Sequence, residues 1–270
     1  MSCSVLVLTY NEAANIRACL DSLPWRDDMH VLDSGSTDGT ADIARAVGAT
    51  VHTRPFTDYA DQRNAGLALP FRNEWIVMLD ADERMTADLA DEIDLLVKCA
   101  GRGLAMACMR RKDMFMDRWL RRASGYPTWF ARLLRRGRVT VERDVNEEYV
   151  ALGEVVRLSG HLIHHPFAKG ADWWFDRHNR YSAMEARRLG VERAAGRAAV
   201  SAILSRDPMR RRAARKQLLY RMPCRPLVVF FYLYVVRRGF LDGRPGYVYA
   251  TMRAAYEIMI DAKIAAAESD

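Results

Sequence analysis

The 270-residue sequence has no long hydrophobic run. Its longest uncharged apolar stretch covers only residues 227–236, whereas a membrane-spanning helix needs about 20 residues. The first residues have neither a basic region nor a small-residue cleavage site, so a secretory signal peptide is not predicted. These absences favour a cytoplasmic protein that contacts membranes only at their surface.

Cysteine is scarce, and two nucleotide-binding signatures are missing. The five cysteines are scattered and never in CxxC spacing, which argues against a zinc site or a disulfide framework and fits a reducing compartment. No GxGxxG follows the first predicted strand, and GxxxxGK[ST] does not occur. The sequence therefore disfavours a nicotinamide-dependent enzyme and a P-loop NTPase.

The formal net charge of +7 conceals two halves of opposite sign. Residues 1–100 carry a net charge of −9, and residues 101–270 carry +16. The most basic part, residues 206–238, includes the apolar run, a combination that suits an interfacial helix on an anionic membrane surface. No nucleic-acid-binding motif is present and half the chain is acidic, so nucleic acid is not an expected partner.

Short apolar runs alternate with helical periodicity through the first hundred residues. Strands are predicted at 4–8, 29–32, 50–53 and 75–79, with helices between them. This alternation predicts an α/β fold, with a mostly parallel, Rossmann-like sheet flanked by helices. Beyond a less regular stretch with further predicted strands, helices dominate. We therefore expect an α/β domain over 1–168, divided at residue 100, and a helical basic region over 169–270.

Polar residues cluster where the predicted strands end. Right-handed crossovers bring these ends to one edge of the sheet, where ligands bind in open α/β folds. Asp80 and Asp82 follow a buried strand and can bind one hard cation together with phosphate oxygens; an acidic surface turn is the alternative. Asp33 can accept a hydrogen bond from a ribose hydroxyl or a base N–H, or it can cap the following helix.

Four motifs, in this order, resemble those of the family 2 glycosyltransferases, which are inverting enzymes of the GT-A fold. They are Thr9-Tyr10-Asn11-Glu12, Asp33-Ser34-Gly35-Ser36-Thr37-Asp38-Gly39, Gln62-Arg63-Asn64-x-Gly66 and Leu79-Asp80-Ala81-Asp82-Glu83. The later chain resembles the bacterial lipopolysaccharide-core glucosyltransferase branch through less specific motifs. These are Tyr126-Pro127, Arg132-Leu133-Leu134-Arg135-Arg136, Asn146-Glu147, Leu162-Ile163-His164 and Gly239-Phe240-Leu241-Asp242-Gly243.

The resemblance implies a nucleotide-sugar site in the 1–100 half and an acceptor site in the 101–168 half. The implied donor-site residues are Thr9, Tyr10, Glu12 and Asp33 for the nucleoside, Arg63 and Asn64 for the base or diphosphate, and Asp80 for the ribose or sugar. Asp82 would hold Mg²⁺ or Mn²⁺, and His164 is the implied further metal ligand. His165 is the alternative, and either histidine could instead be a packed or surface residue.

The resemblance also implies a catalytic base. The branch has His-Glu where this chain has Asn146-Glu147, so the expected base, Glu147, is kept, while a group that could orient it is lost. The adjacent Glu148 and nearby Asp144 are alternatives.

The implied activity is inverting transfer of a hexose, glucose, from a UDP-linked donor to a hydroxyl of a lipid-linked glycan, such as the lipopolysaccharide inner core. The expected location is the inner face of the cytoplasmic membrane, with residues 206–238 on anionic lipid. The alternatives are a polyprenyl-phosphate acceptor, a sugar nucleotidyltransferase, and a non-catalytic glycan- or lipid-binding scaffold. The glycine-rich loop expected of a nucleotidyltransferase after its first strand is missing.

Overall fold

A computed structural model of the chain describes residues 3–142, 148–194 and 224–267. The chain divides into two compact units. Unit 1 comprises Met1–Met114 and Tyr126–Ala168, and unit 2 comprises Phe115–Gly125 and Lys169–Asp270. One boundary thus falls at residue 168, but the segment Phe115–Gly125, which the sequence groups with the first domain, belongs to unit 2.

Unit 1 is built on one large mixed sheet. Its strands are β1 (Ser4–Thr9), β2 (Met29–Asp33), β3 (Thr50–Thr53), β4 (Trp75–Asp80), β5 (Glu83–Arg84), β6 (Leu104–Phe115), β8 (Trp129–Arg135) and β11 (Glu154–His164). Their order is β3-β2-β1-β4-β8-β6-β11-β5, and β9 (Val139–Glu142) pairs separately with β10 (Glu148–Ala151). The helices are α1 (Ile16–Asp21), α2 (Thr40–Ala46), α3 (Tyr59–Leu67) and α4 (Ala87–Cys99).

This architecture confirms the predicted α/β class with a mostly parallel sheet and flanking helices. Strands β1 to β4 pair in parallel, as do β6 and β11, while β8 is antiparallel to both of its neighbours. Strand β8 has no counterpart in the sequence prediction, because Arg132 and Arg135 interrupt its apolar pattern. The helix after β1 begins only at Ile16, and Asn15 is the residue before it.

The core of unit 1 explains why polar residues collect at one edge. Strands β1 and β4 are buried on both faces, with Val5 and Val77 facing one hydrophobic cluster and Leu6 facing the other. A strand enclosed in this way can present polar side chains only at its ends. The parallel register places Thr9 beside Asp33, and Leu8 beside Asp80, which brings three of the predicted site residues together.

Unit 2 is helical. Besides the short strand β7 (Arg118–Trp119), it contains α5 (Gly170–Ala194), α6 (Arg225–Phe231), a π-helix (Tyr232–Val236), a 3₁₀ helix (Gly239–Asp242) and α7 (Arg244–Ala267). Arg225 is fully buried and pairs with Glu257 at 2.9 Å and with Asp261 at 2.8 Å, so it joins α6 to α7. Residues 195–223 of the helical region predicted over 169–270 lie outside the described residues.

Within the described part of the chain, no helix is long and apolar enough to cross a membrane.

Candidate active site

Two loops at the carboxyl edge of the sheet are tied to each other. They follow β1 and β2, and Asn11 lies in the first with a left-handed φ of 53°, which asparagine tolerates well. Four hydrogen bonds join the loops: Asn11 N–H to Ser36 Oγ (2.8 Å), Glu12 N–H to Thr40 Oγ1 (2.8 Å), Ala13 N–H to Asp38 Oδ2 (3.0 Å) and Thr37 N–H to Asn11 Oδ1 (2.8 Å). These bonds hold the two loops in one arrangement.

The predicted nucleoside-binding residues lie on this edge. Thr9 is buried, and its hydroxyl has no hydrogen-bond partner among the described residues. Asp33 closes the second loop: its carboxylate accepts the N–H of Ser36 at 2.9 Å and also the Ser36 hydroxyl. Tyr10 is 56% exposed. Glu12 accepts a hydrogen bond from the amide of Asn15 at 2.7 Å. Asp33 therefore closes the loop rather than capping α2, which begins at Thr40 after Gly39, and its contact with a nucleoside stays a prediction.

The two predicted residues of α3 differ in their surroundings. Arg63 is buried and its guanidinium lies 3.2 Å from Asp80 Oδ1, at the edge of the sheet. Asn64 instead uses both ends of its amide on β9: Nδ2 donates to the carbonyl of Val141 at 2.8 Å, and Oδ1 accepts the N–H of Val141 at 2.9 Å. We therefore interpret Asn64 as a support of the β9–β10 hairpin rather than as a ligand of the base or diphosphate.

Asp80 is fixed by two arginines. Its Oδ2 lies 2.5 Å from Arg132 and its Oδ1 contacts Arg63, while its backbone N–H donates to Glu83 Oε2 at 3.1 Å. Burial acts to raise the pKa of Asp80, but Arg132 and Arg63 outweigh burial, so the pKa lies well below its usual range. The carboxylate is therefore ionised and held in one orientation.

Arg132 is the main site residue that sequence reasoning did not single out. It is 2% exposed and forms two parallel contacts with the fully buried Glu83, Nε to Oε2 at 2.8 Å and Nη2 to Oε1 at 2.9 Å. Arg111 lies 3.4 Å from the same carboxylate. Arg132 opens one of the less specific motifs and is a charged residue inside an apolar run of β8, but neither signal gives it a role, because its partners lie about 50 residues earlier in the chain.

Asp82, His164 and Asp113 form a second polar group. His164 Nε2 lies 3.3 Å from Asp82 Oδ2, and Nδ1 lies 2.7 Å from Asp113 Oδ1. Burial acts to lower the pKa of His164, but Asp82 and Asp113 raise it to about 9. The structure thus brings together the two predicted metal ligands. The backbone N–H of His165 donates to the Asp82 carbonyl at 2.8 Å.

The geometry of this pair fits a divalent cation. Two ligand atoms about 2.1 Å from one Mg²⁺ or Mn²⁺ ion, at right angles, are about 3 Å apart, close to the observed 3.3 Å. A carboxylate on the distal nitrogen of a metal-binding histidine, as Asp113 provides, orients the ring toward the metal. No group of three or more His, Cys, Asp or Glu side chains suited to a metal occurs in residues 3–142, 148–194 and 224–267. Two protein ligands suit an ion that also binds substrate phosphates.

The predicted base, Glu147, lies outside the described residues, as do Asn146 and the alternative Asp144. The structure describes only their surroundings. Strands β9 and β10 flank this segment, and Glu148, the other alternative, is exposed at the start of β10 opposite Glu142.

A mostly parallel sheet with acidic residues at the ends of β2 and β4 and a cation-compatible pair at the same edge is compatible with a nucleotide-sugar transferase. The sequence profile of glycosyl transferase family 2 matches residues 4–146, more than half of the chain. The protein therefore belongs to glycosyl transferase family 2.

Individual relatives agree with this assignment. A lipopolysaccharide core biosynthesis glycosyltransferase, LpsC of Rhizobium meliloti, is 25% identical over 97% of this chain and 91% of its own length. An uncharacterized glycosyltransferase of Rickettsia bellii is 37% identical over 94 residues, 34% of this chain and 32% of that protein, so the match spans about a third of such relatives. The mannosyltransferase PcManGT of Pyrobaculum calidifontis, solved with GDP-Man and Mn²⁺, shares the fold. It has a TM-score of 0.50 and 16% identity, and the match covers 97% of this chain and 86% of that one.

We expect Arg132→Met to destabilise the protein by up to about 3–5 kcal/mol, because it leaves the fully buried carboxylate of Glu83 with only its 3.4 Å contact to Arg111, and Asp80 with only Arg63. The free energy of unfolding from denaturant titration measures this. Arg132→Met combined with Glu83→Gln should recover part of the loss. The control, Arg45→Met, removes an exposed pair with Asp42 and should cost less than about 1 kcal/mol. Equal losses in the two single variants would contradict the proposed importance of the buried network.

Proposed function

We propose that the protein is an inverting hexosyltransferase. It transfers glucose from a UDP-linked donor to a hydroxyl of a lipid-linked glycan such as the lipopolysaccharide inner core. The observation that carries this proposal is the Asp82–His164 pair beside the fixed Asp80 carboxylate, at the edge formed by the two tied loops. The likeness to LpsC over nearly the whole chain supports the acceptor class.

Donor binding uses both polar groups of this edge. Asp82 and His164 would hold Mg²⁺ or Mn²⁺, which when bound neutralises the charge of the leaving nucleoside diphosphate. Thr9, Tyr10, Glu12 and Asp33 then contact the nucleoside. Asp80, oriented by Arg63 and Arg132, accepts hydrogen bonds from ribose or sugar hydroxyls.

Transfer proceeds as a single in-line displacement at the anomeric carbon, with Glu147 accepting the proton of the acceptor hydroxyl. Asn64 supports this assignment indirectly, since its two bonds to Val141 hold the hairpin whose strands flank residues 143–147. Glu148 and Asp144 are the competing bases.

A lipid-linked acceptor requires access to a membrane surface, and unit 2 offers an apolar face for it. Leu227, Phe231 and Val236 are 70%, 57% and 58% exposed on α6 and the following π-helix, next to Arg237 and Arg238. We propose that these apolar side chains insert at the inner face of the cytoplasmic membrane, with the basic side chains near anionic headgroups. The rest of the predicted basic segment, residues 206–223, lies outside the described residues.

Asp82→Asn and His164→Gln should abolish Mn²⁺-dependent binding of the donor nucleotide while the protein stays folded. Thermal shift with a panel of NDP-sugars measures this, because a tight ligand at a hundredfold excess over its Kd adds about 2.7 kcal/mol of stability. The exposed Asp42→Asn is the matched control. A stabilisation by UDP-sugar and Mn²⁺ that persists in both site variants would contradict the metal assignment. The absence of stabilisation and of turnover with every NDP-sugar would instead support a non-catalytic scaffold.

Glu147→Gln keeps the size of the side chain but removes its basicity, so transfer should fall by about 10²–10⁴-fold while donor binding persists. Transfer assays with Glu147→Gln and the matched Glu148→Gln distinguish the two adjacent candidates. Loss confined to Glu148→Gln would move the base by one residue. Full activity in both would favour a polyprenyl-phosphate acceptor, which is already anionic and needs no strong base.

The triple variant Leu227→Ser, Phe231→Ser, Val236→Ser should bind anionic vesicles less well than wild type in co-sedimentation. Changing Arg210, Arg211, Arg212 and Arg215 together to Ser should also weaken binding, since each basic residue near anionic lipid contributes about 1 kcal/mol. The exposed Leu95→Ser, on α4 of unit 1, is the control. Equal binding to neutral and anionic vesicles would reject the electrostatic part of this proposal, and unchanged binding of the triple variant would reject insertion.

A further inference from the structure

The sheet of unit 1 has a second polar surface, formed by the same two strands that carry Asp113 and His164. On β6, Arg110 and Lys112 alternate with Arg111 and Asp113, so the two pairs lie on opposite faces of the sheet. Strand β11 repeats this alternation, since His161 is paired with Arg110, and His164 with Asp113. The face away from the metal-binding pair is therefore rich in basic residues.

Trp129 and Arg157 complete this surface. Trp129 on β8 is opposite Arg110, and Arg157 on β11 is opposite Cys108, which shares the face of Arg110. The guanidinium carbons of Arg110 and Arg157 lie 5.7 Å and 5.1 Å from the centre of the Trp129 ring. We call Arg110, Lys112, Trp129, Arg157 and His161 the basic–aromatic face.

The positive charges of the basic–aromatic face lie close enough to one another to affect the pKa values of its members. Burial and the charge of Arg110 lower the pKa of Lys112. Burial, Lys112 and Arg110 also lower the pKa of His161, while the carboxylate of Asp88 acts in the opposite direction. The other nearby carboxylate, Glu92 on α4, is already bound to the N–H groups of Ser159 at 2.7 Å and Gly160 at 2.8 Å.

Two buried polar atoms point to a missing partner. Arg110 Nε and His161 Nδ1 are inaccessible to solvent and have no hydrogen-bond partner among the described residues. Buried polar atoms in native proteins nearly always form a hydrogen bond. Two such atoms without one, on residues that are neighbours across β6 and β11, therefore require an explanation. An oxyanion supplies acceptor oxygens for both and offsets the crowding of positive charge.

We propose that the basic–aromatic face binds a phosphoryl group carried by the glycan acceptor. The donor diphosphate belongs to the other face, where Asp82 and His164 lie, so this face serves a different anion. Arg110, Lys112 and His161 are half-buried, which suits a single compact anion better than the plane of a bilayer. Assignment of the anion to the acceptor rests on the proposed function, whereas anion binding itself does not.

The test is calorimetric titration of the full-length protein with inorganic phosphate, glucose 6-phosphate and glucose. EDTA is included so that no metal-bound phosphate forms at Asp82. We expect wild type to bind both phosphates and not glucose. Arg110→Gln combined with Arg157→Gln should lower the affinity by about tenfold or more, as expected for lost charged hydrogen bonds. Lys112→Gln is a second, milder variant, and circular dichroism checks that each variant is folded.

Two controls locate the anion. Arg45→Gln removes an exposed arginine of α2 and should leave phosphate affinity unchanged, and Asp82→Asn should leave it unchanged as well. In transfer assays, the Arg110/Arg157 double variant should raise KM for the acceptor while kcat and the Kd of UDP with Mn²⁺ stay unchanged.

Three results would overturn the proposal: no phosphate binding by wild type, equal binding by wild type and the double variant, or a loss in the double variant of binding to anionic vesicles rather than to glucose 6-phosphate. Phosphate binding that depends on Arg110 and Arg157, in a protein that transfers no sugar, would support the anion site and reject the proposed function instead.

Discussion

The buried contact between Arg132, Glu83 and Asp80 is the interaction on which the arrangement of the site depends. Strand β8 is antiparallel between β4 and β6, which places its arginine beside the carboxyl end of β4. Glu83 begins β5 and is paired in register with His164 of β11. Through this one guanidinium, the turn that carries Asp82 is linked to β4 in the middle of the sheet and to β5 at one end of it. Buried charges of this kind stabilise the fold only together, because removal of one member takes a counterion from the buried charges that remain.

Period-2 alternation along β6 and β11 gives one pair of strands two chemical roles. Arg111, Asp113 and His164 face the carboxylates of Asp82 and Glu83, while Arg110 and His161 face the other way. The register shift between Arg157 and His161 adds two residues to β11 relative to β6, so both side chains stay on the face of Arg110. A one-residue slip would exchange the two faces.

The first hundred residues were readable from the sequence because their signals are local. A short apolar run that leads into Asp33, or into Asp80 and Asp82, predicts both a strand and the polar residues at its end, and all the residues needed lie within ten positions of one another. The remaining site residues depend on distant partners: Arg132 pairs 52 positions from Asp80, His164 lies 51 positions from Asp113, and Asn64 holds Val141 from 77 positions away. No local period encodes such pairs. Asn64 is an example: its motif predicts a role in donor binding, but both ends of its amide form hydrogen bonds with the backbone of β9.

In α6 of unit 2, the usual distribution of polar and apolar side chains is reversed. Arg225 is its buried residue, paired with Glu257 and Asp261 of α7, whereas Leu227 and Phe231 are exposed. Burying an arginine costs desolvation free energy that its two carboxylate partners must offset. Exposing several large apolar side chains side by side is unfavourable in water but favourable at a lipid interface. Because the ion pairs hold α6 against α7, Leu227 and Phe231 are fixed outward, and the membrane insertion that we propose would require no refolding of the helix.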